Sequence, residues 1–259
     1  MRTRRRRERL GTRGAALQAP GRGRRASDVP HNGLVERRMT IRADAAAGVV
    51  GPAVFTGAWI VGSLRQSGYE AIEVQISGLA APDARDPWIM ITGFLALGGC
   101  AVAFGEALRE AVGGPAPRLI QGAGMLTIVA GLLRRDHMLL EPGPVSWHNQ
   151  AHDVVSAVIY VDLVVALALL SRAFTRDAAW RPWRGWLAVS AAATAVALIA
   201  FGADTSEPAA GVLQRVAVTL PLATVAAIAA RLASSQAREG AGRKRPAAEY
   251  GLDTLPRQI

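Results

Sequence analysis

The chain has one cysteine among its 259 residues, Cys100, so no disulfide can close within it and no thiolate metal site can form. Cys100 lies inside an apolar stretch and reads as a small packing residue. Lysine is equally scarce: Lys244 is the only one, and the arginine bias is that of a GC-rich bacterial genome. Aromatic residues make up 5% of the chain against 51% hydrophobic residues, with Ala, Val, Leu and Gly dominant. Small side chains let helices approach closely within a membrane. No apolar core follows the basic start before residue 45, which excludes a secretory signal peptide. No internal repeat is evident. The metalloprotease pattern His-Glu-x-x-His is also missing.

What is present is a succession of six apolar stretches: Ala45–Leu64, Trp88–Leu108, Leu119–Leu133, Val154–Phe174, Trp186–Gly202 and Gly211–Ala230. About 20 apolar residues in a helix cross the roughly 30 Å of bilayer hydrocarbon. Unbroken runs of this length are the helical way of hiding backbone polar groups there. The expected fold is therefore all-α, a polytopic transmembrane bundle of six helices, with Leu119–Leu133 its shortest span. The net charge of +10 is distributed as the positive-inside rule requires, which argues for membrane lipids and no nucleic acid as partners. Arg109, Arg118, Arg172, Arg176, Arg181 and Arg184 fall on one side, with the basic C-terminal tail. The opposite loops hold only Arg65, Arg85, Arg134 and Arg135, beside Glu70, Glu73, Asp83, Asp86, Asp136, Glu141, Asp204 and Glu207. The expected topology is N-in and C-in, in the cell membrane.

Three domains are expected. Residues 1–44 are too polar to fold alone and read as a disordered, Arg-rich cytoplasmic tail held near anionic lipids. Met39 is an alternative start, since MTIRADAAAG would be an ordinary short N-terminus. Residues 45–233 form the membrane domain, and 234–259 a second disordered tail. In the first outer loop, Ile72–Ile76 alternates apolar and polar residues as a short extended piece would, and Ser77-Gly78-Leu79 reads as a turn. Ser146 is placed to cap the fourth helix. Trp180, Trp183 and Trp186, among arginines, read as an interfacial belt.

Candidate chemistry gathers on the outer side. His148 and His152 stand one helical turn apart, a spacing able to hold one metal ion. Asp136 is the candidate third ligand or the orienting partner of a histidine, with His137 beside it. Ser77 offers a hydroxyl from the first loop. Zinc in such a site lowers the pKa of its bound water to about 7 and makes a nucleophile. The competing reading makes these histidines interfacial residues that cap or hydrogen-bond the loop. Asp162 lies nearly four turns after His148. Arg215 enters the sixth span from the same side. Ionisable groups inside a bilayer usually pair, so Asp162 or Asp153 is expected to pair with Arg215.

These features carry a resemblance. Six spans, Gly68-Tyr69 followed by Ile76-Ser77-Gly78-Leu79, Asp136 after the third span and His148 or His152 opening the fourth resemble the bacterial and archaeal membrane family called domain of unknown function 998. The resemblance covers residues 45–233. Members similar to it commonly carry an acid in the first loop where this chain has Gly78. A more distant likeness is to membrane hydrolases typified by alkaline ceramidases, which combine Ser, Asp and three His around zinc. It implies catalytic roles for Ser77 and Asp136 and metal ligation by His148, His152 and Asp136, with zinc as cofactor. A third histidine on a late helix is missing, and His137 would have to serve. The working expectation is a metal-assisted hydrolase acting on a lipid or amide at the outer leaflet. The alternatives are a non-enzymatic lipid-binding or assembly protein and, third, a small transporter.

Overall fold

Each apolar stretch becomes a helix because a bilayer offers its backbone no other partner. The computed structural model describes residues 31–139, 144–203 and 209–242, with side chains for 40–139, 144–202 and 209–235. The helices are α1 (His31–Arg65), α2 (Trp88–Ala111), α3 (Ala116–Leu132), α4 (Trp147–Ala173), α5 (Arg184–Ala203) and α6 (Ala210–Gly242). Among the described residues there is no strand. Five helices are long and apolar enough to cross a membrane. The 17 residues of α3 reach only about 25 Å.

Two helices extend beyond residues 45–233. Helix α1 starts at His31, inside the segment read as a tail, and α6 runs to Gly242, beyond residue 234. Propagating an existing helix is cheap, and the Leu, Glu, Arg, Met and Ala residues that precede residue 45 favour it. Residues 1–30, Glu141, Asp204, Glu207 and the tail from 243 lie outside the described residues, as do the side chains of His31 and Met39.

Packing fixes the topology. Each helix lies against the next in sequence, and α6 returns to α1, which closes a ring. One buried cluster joins Ala45 of α1, Phe104 and Leu108 of α2, Ile120 of α3, Leu170 of α4, Leu187 of α5 and Ile228 and Leu232 of α6. It combines starts of odd-numbered helices with ends of even-numbered ones, so successive helices, α3 among them, alternate in direction. Trp180 closes this end. It is buried against Phe174, and Arg231 stacks on it at 5.0 Å. Outward faces carry Val49, Val54, Ile60, Met125, Val158, Val161, Val196 and Ile199, all exposed. An apolar surface of this extent belongs in lipid.

Glycines set the helix spacing. A Cβ on Gly124 of α3 would lie 2.7 Å from the Gly98 carbonyl of α2, and one on Gly98 would lie 2.5 Å from the Gly124 carbonyl. Cys100 packs the same way, its Cβ lying where a side chain on Gly51 would meet it. Gly124→Val is therefore expected to destabilise the bundle by about 1–3 kcal/mol through overpacking. Gly99, which faces open space, should accept valine without loss. Thermal unfolding of the two variants in detergent checks the contrast.

Candidate functional site

The first loop does not lie over the bundle; it enters it. Gly68, at φ +67°, takes the left-handed turn that reverses the chain after α1. Arg65 then clasps Asp86 at 2.6 Å, and Gln66 exchanges hydrogen bonds with the Arg85 backbone, so the two ends of the loop are tied. Between them Val74–Ala81 is buried without a break. Ile76, Leu79 and Ala80 pack against Phe55, Met90, Phe94 and Leu222. Phe55 lies about 15 Å along α1 from Arg65, so this segment is inserted deeply.

Non-helical backbone at that depth must have its polar groups satisfied by protein. The partners come from α6. Gln214 Oε1 accepts from Ile76 N–H at 2.5 Å, and Val212 N–H donates to the Ile72 carbonyl. Arg215 donates to the carbonyls of Ala71 and Val74 at 2.6 and 2.8 Å and to the Tyr69 hydroxyl, while its guanidinium stacks over Trp59 at 5.3 Å. Gly211 admits the loop, because a Cβ there would lie 2.6–2.7 Å from the carbonyls of Ala71, Ile72 and Val74. These bonds explain why Ile72–Ile76 is not extended: it forms turns leading to a 3₁₀ turn at Ile76–Ala80. Gly78 is required by the Met138 carbonyl, which occupies the space a side chain would take.

The segment roofs two cavities that share Ser77, His152, Ser156, Tyr160 and Gln214. The deeper one, about 60 Å³, is otherwise mainly apolar, with Phe55, Phe94, Leu97, Ile159, Val218 and Leu222. The outer one, about 260 Å³, adds Gln75, Arg135 and Asp153. Both exceed the 10–15 Å³ or so that one water needs. Arg135 is buried, donates to Gln75 and lies 3.9 Å from Asp153, whose other oxygen accepts from Asn149. Ser77, 3% exposed, has no hydrogen-bond partner for its hydroxyl among the described residues.

The expected metal ligands do not converge. Among the described residues no group of three or more His, Cys, Asp and Glu side chains is arranged to hold a metal ion. His152 turns inward, 3% exposed, with Nδ1 at 2.9 and 2.7 Å from the carbonyls of Ala130 and Leu133 at the end of α3. His148 stays exposed, with Nδ1 3.0 Å from Ser146 Oγ. Asp136 accepts from Ser146 N–H at 2.7 Å and Oγ–H at 2.5 Å, and Ser146 in turn caps α4 by accepting from Asn149 N–H. Asp136, His137 and His148 line a separate surface pocket of about 470 Å³ with Pro82, Arg134 and Arg135.

The expected ion pair is also replaced. Asp153 faces Arg135, and Arg215 is turned to the loop. Asp162 instead borders α3, 3.6 Å from where Gly122 would carry a Cβ. Arg215 meets the loop carbonyls through Nη1 and Tyr69 through Nη2, while its Nε has no partner among the described residues. Gln75, Gln214, Ser156 and Tyr160 are site residues that the histidine and carboxylate patterns missed. The available signal was a glutamine beside Arg215 inside an apolar run.

Compared with known proteins, residues 49–231 match the model of the family described as "Protein of unknown function (DUF998)". No curated protein and no solved structure matches the chain.

The Asp136 cap has a pH signature. Hydrogen bonding by the Ser146 hydroxyl, then by its backbone N–H, holds the Asp136 carboxyl below its ordinary value of 3.8. Its folded pKa is thus lower than its unfolded pKa, so its contribution is complete above the unfolded value. That contribution is lost as pH falls from about 4 through the folded value. Asp136→Asn should flatten the fall in melting temperature below about pH 4, as thermal unfolding of both proteins across that range would reveal.

Proposed function

The chain belongs to the DUF998 family of membrane proteins, and we propose that it binds an amphiphile in the cavity beneath the first loop, at the outer leaflet of the cell membrane. One observation carries this reading. A cavity at the bundle mouth that holds the charged Arg135 and Asp153 runs into a mainly apolar one, and five residues line both. An amphiphile has the same division, a polar head joined to an apolar chain. A ligand site with an apolar lining and a few convergent polar groups is the usual form of a small-molecule pocket.

The orientation follows from charge. Arg109, Arg118, Arg172, Arg176, Arg181, Arg184 and Arg231 belong to the end away from the cavity. The positive-inside rule favours the cytoplasm for that end, with the start of α1 and the end of α6. The role is binding rather than metal-assisted hydrolysis, because Asp136 and His148 serve the α4 cap and His152 is held by α3.

The test uses the purified full-length protein in nanodiscs and a clickable diazirine-bearing monoacylglycerol. Saturable labelling is expected at cavity-lining segments of α4 and α6. Ser156→Trp, which fills the shared part of the cavity, should reduce it about tenfold, equivalent to about 1.4 kcal/mol. Labelling confined to the outer apolar faces and unchanged by Ser156→Trp would contradict the reading.

A further inference from the structure

Among the described residues, two polar atoms of cavity-lining side chains lack partners: a hydroxyl, able to donate and to accept, and a ring nitrogen, able only to accept. The Ser77 hydroxyl is buried, unpartnered among the described residues, and lines both compartments. His152 has its Nδ1 between two carbonyls, Ala130 O and Leu133 O. Carbonyls only accept, so Nδ1 carries the hydrogen, and in the neutral ring the lone pair sits on Nε2. The Nδ1 edge is closed by α3, and His152 lines both cavities with the rest of its side chain. Nε2 has no hydrogen bond among the described residues. A hydroxyl able to donate and a ring nitrogen able to accept therefore both belong to residues that line the shared space.

Among the described residues that line the two cavities, the arginine and aspartate charges balance. Arg135 is the cation of the outer cavity and Asp153 its anion, 3.9 Å apart, and Gln75 takes a further guanidinium donor. A charged head carried past this pair to Ser77 and His152 would be buried without a counter-ion, at a cost of several kcal/mol. A phosphate or carboxylate would also present only acceptors to His152 Nε2.

From these atoms we infer that Ser77 and His152 form a paired subsite for an uncharged hydroxyl head group, which accepts from Ser77 Oγ–H and donates to His152 Nε2. The inference rests on the amphiphile-binding reading and narrows it to a neutral alcohol with an apolar chain. A hydroxyl fits because a single rotatable O–H fills both roles from one atom. Ser156, beside them, is available for a second hydroxyl.

Competition against the photoreactive monoacylglycerol tests it, with monooleoylglycerol, oleic acid and oleoyl lysophosphatidic acid as unlabelled competitors of equal chain. Monooleoylglycerol should compete about tenfold better than either anion. Ser77→Ala and His152→Asn should each weaken its competition about three- to tenfold, the effect of one buried hydrogen bond. His152→Asn keeps a donor for the α3 carbonyls while removing Nε2. Ser77→Thr, which keeps the hydroxyl, should retain the preference, and unchanged melting temperatures would show that the variants fold. Equal competition by the anions, or an undiminished preference in both Ser77→Ala and His152→Asn, would overturn this inference while leaving amphiphile binding intact. Absence of saturable labelling by any probe would overturn both.

Discussion

Hydrocarbon supplies no hydrogen bonds, and eight consecutive residues of the first loop, Val74–Ala81, sit buried among transmembrane helices. Everything at the bundle mouth follows from satisfying them. The inserted backbone needs acceptors and donors. Turns within the loop supply some, and α6 meets Ala71, Ile72, Val74 and Ile76 in one stretch: Gly211 for approach, Val212 N–H, the Gln214 amide and the Arg215 guanidinium. Arg215 is not a charge awaiting a carboxylate but a multidentate donor for the carbonyls of a folded-in loop. The inserted segment roofs the cavity, which residues of α4 and α6 line beneath it.

The same constraint reassigns the polar residues. Asp136, Ser146 and Asn149 form one chain of bonds that starts α4 at the correct position. His152, one turn on, binds the free carbonyls at the end of α3. Exposed helix ends account for these residues as well as a metal would. Helix-end carbonyls have no intrahelical partner, and a histidine ring is one way of satisfying them.

Hydropathy made the six helices legible, since bilayer thickness acts on chain length directly. The Ser146 cap was legible because capping is local, depending on a hydroxyl three residues before an amide. Ser77 could be assigned to the first loop from its position alone. Local spacing failed where the partner lay elsewhere in the chain. His148 and His152 share a helical face, but only α3 determines that one turns inward and the other stays exposed. Arg215 was recognisable as an intramembrane charge, yet its partners are backbone atoms of residues 71 and 74, which no side-chain pattern records. Gln75 and Gln214 were hidden because an amide in an apolar run gives no sign of which backbone group it meets.

The decisive measurement is hydrogen–deuterium exchange of the full chain in nanodiscs, read over Val74–Ala81. If this segment is inserted and bonded to α6, its amides should be protected to the level of the neighbouring α2 amides, and Arg215→Met should release them selectively. Exchange of Val74–Ala81 at the rate of an exposed loop in the unmodified protein would contradict the account.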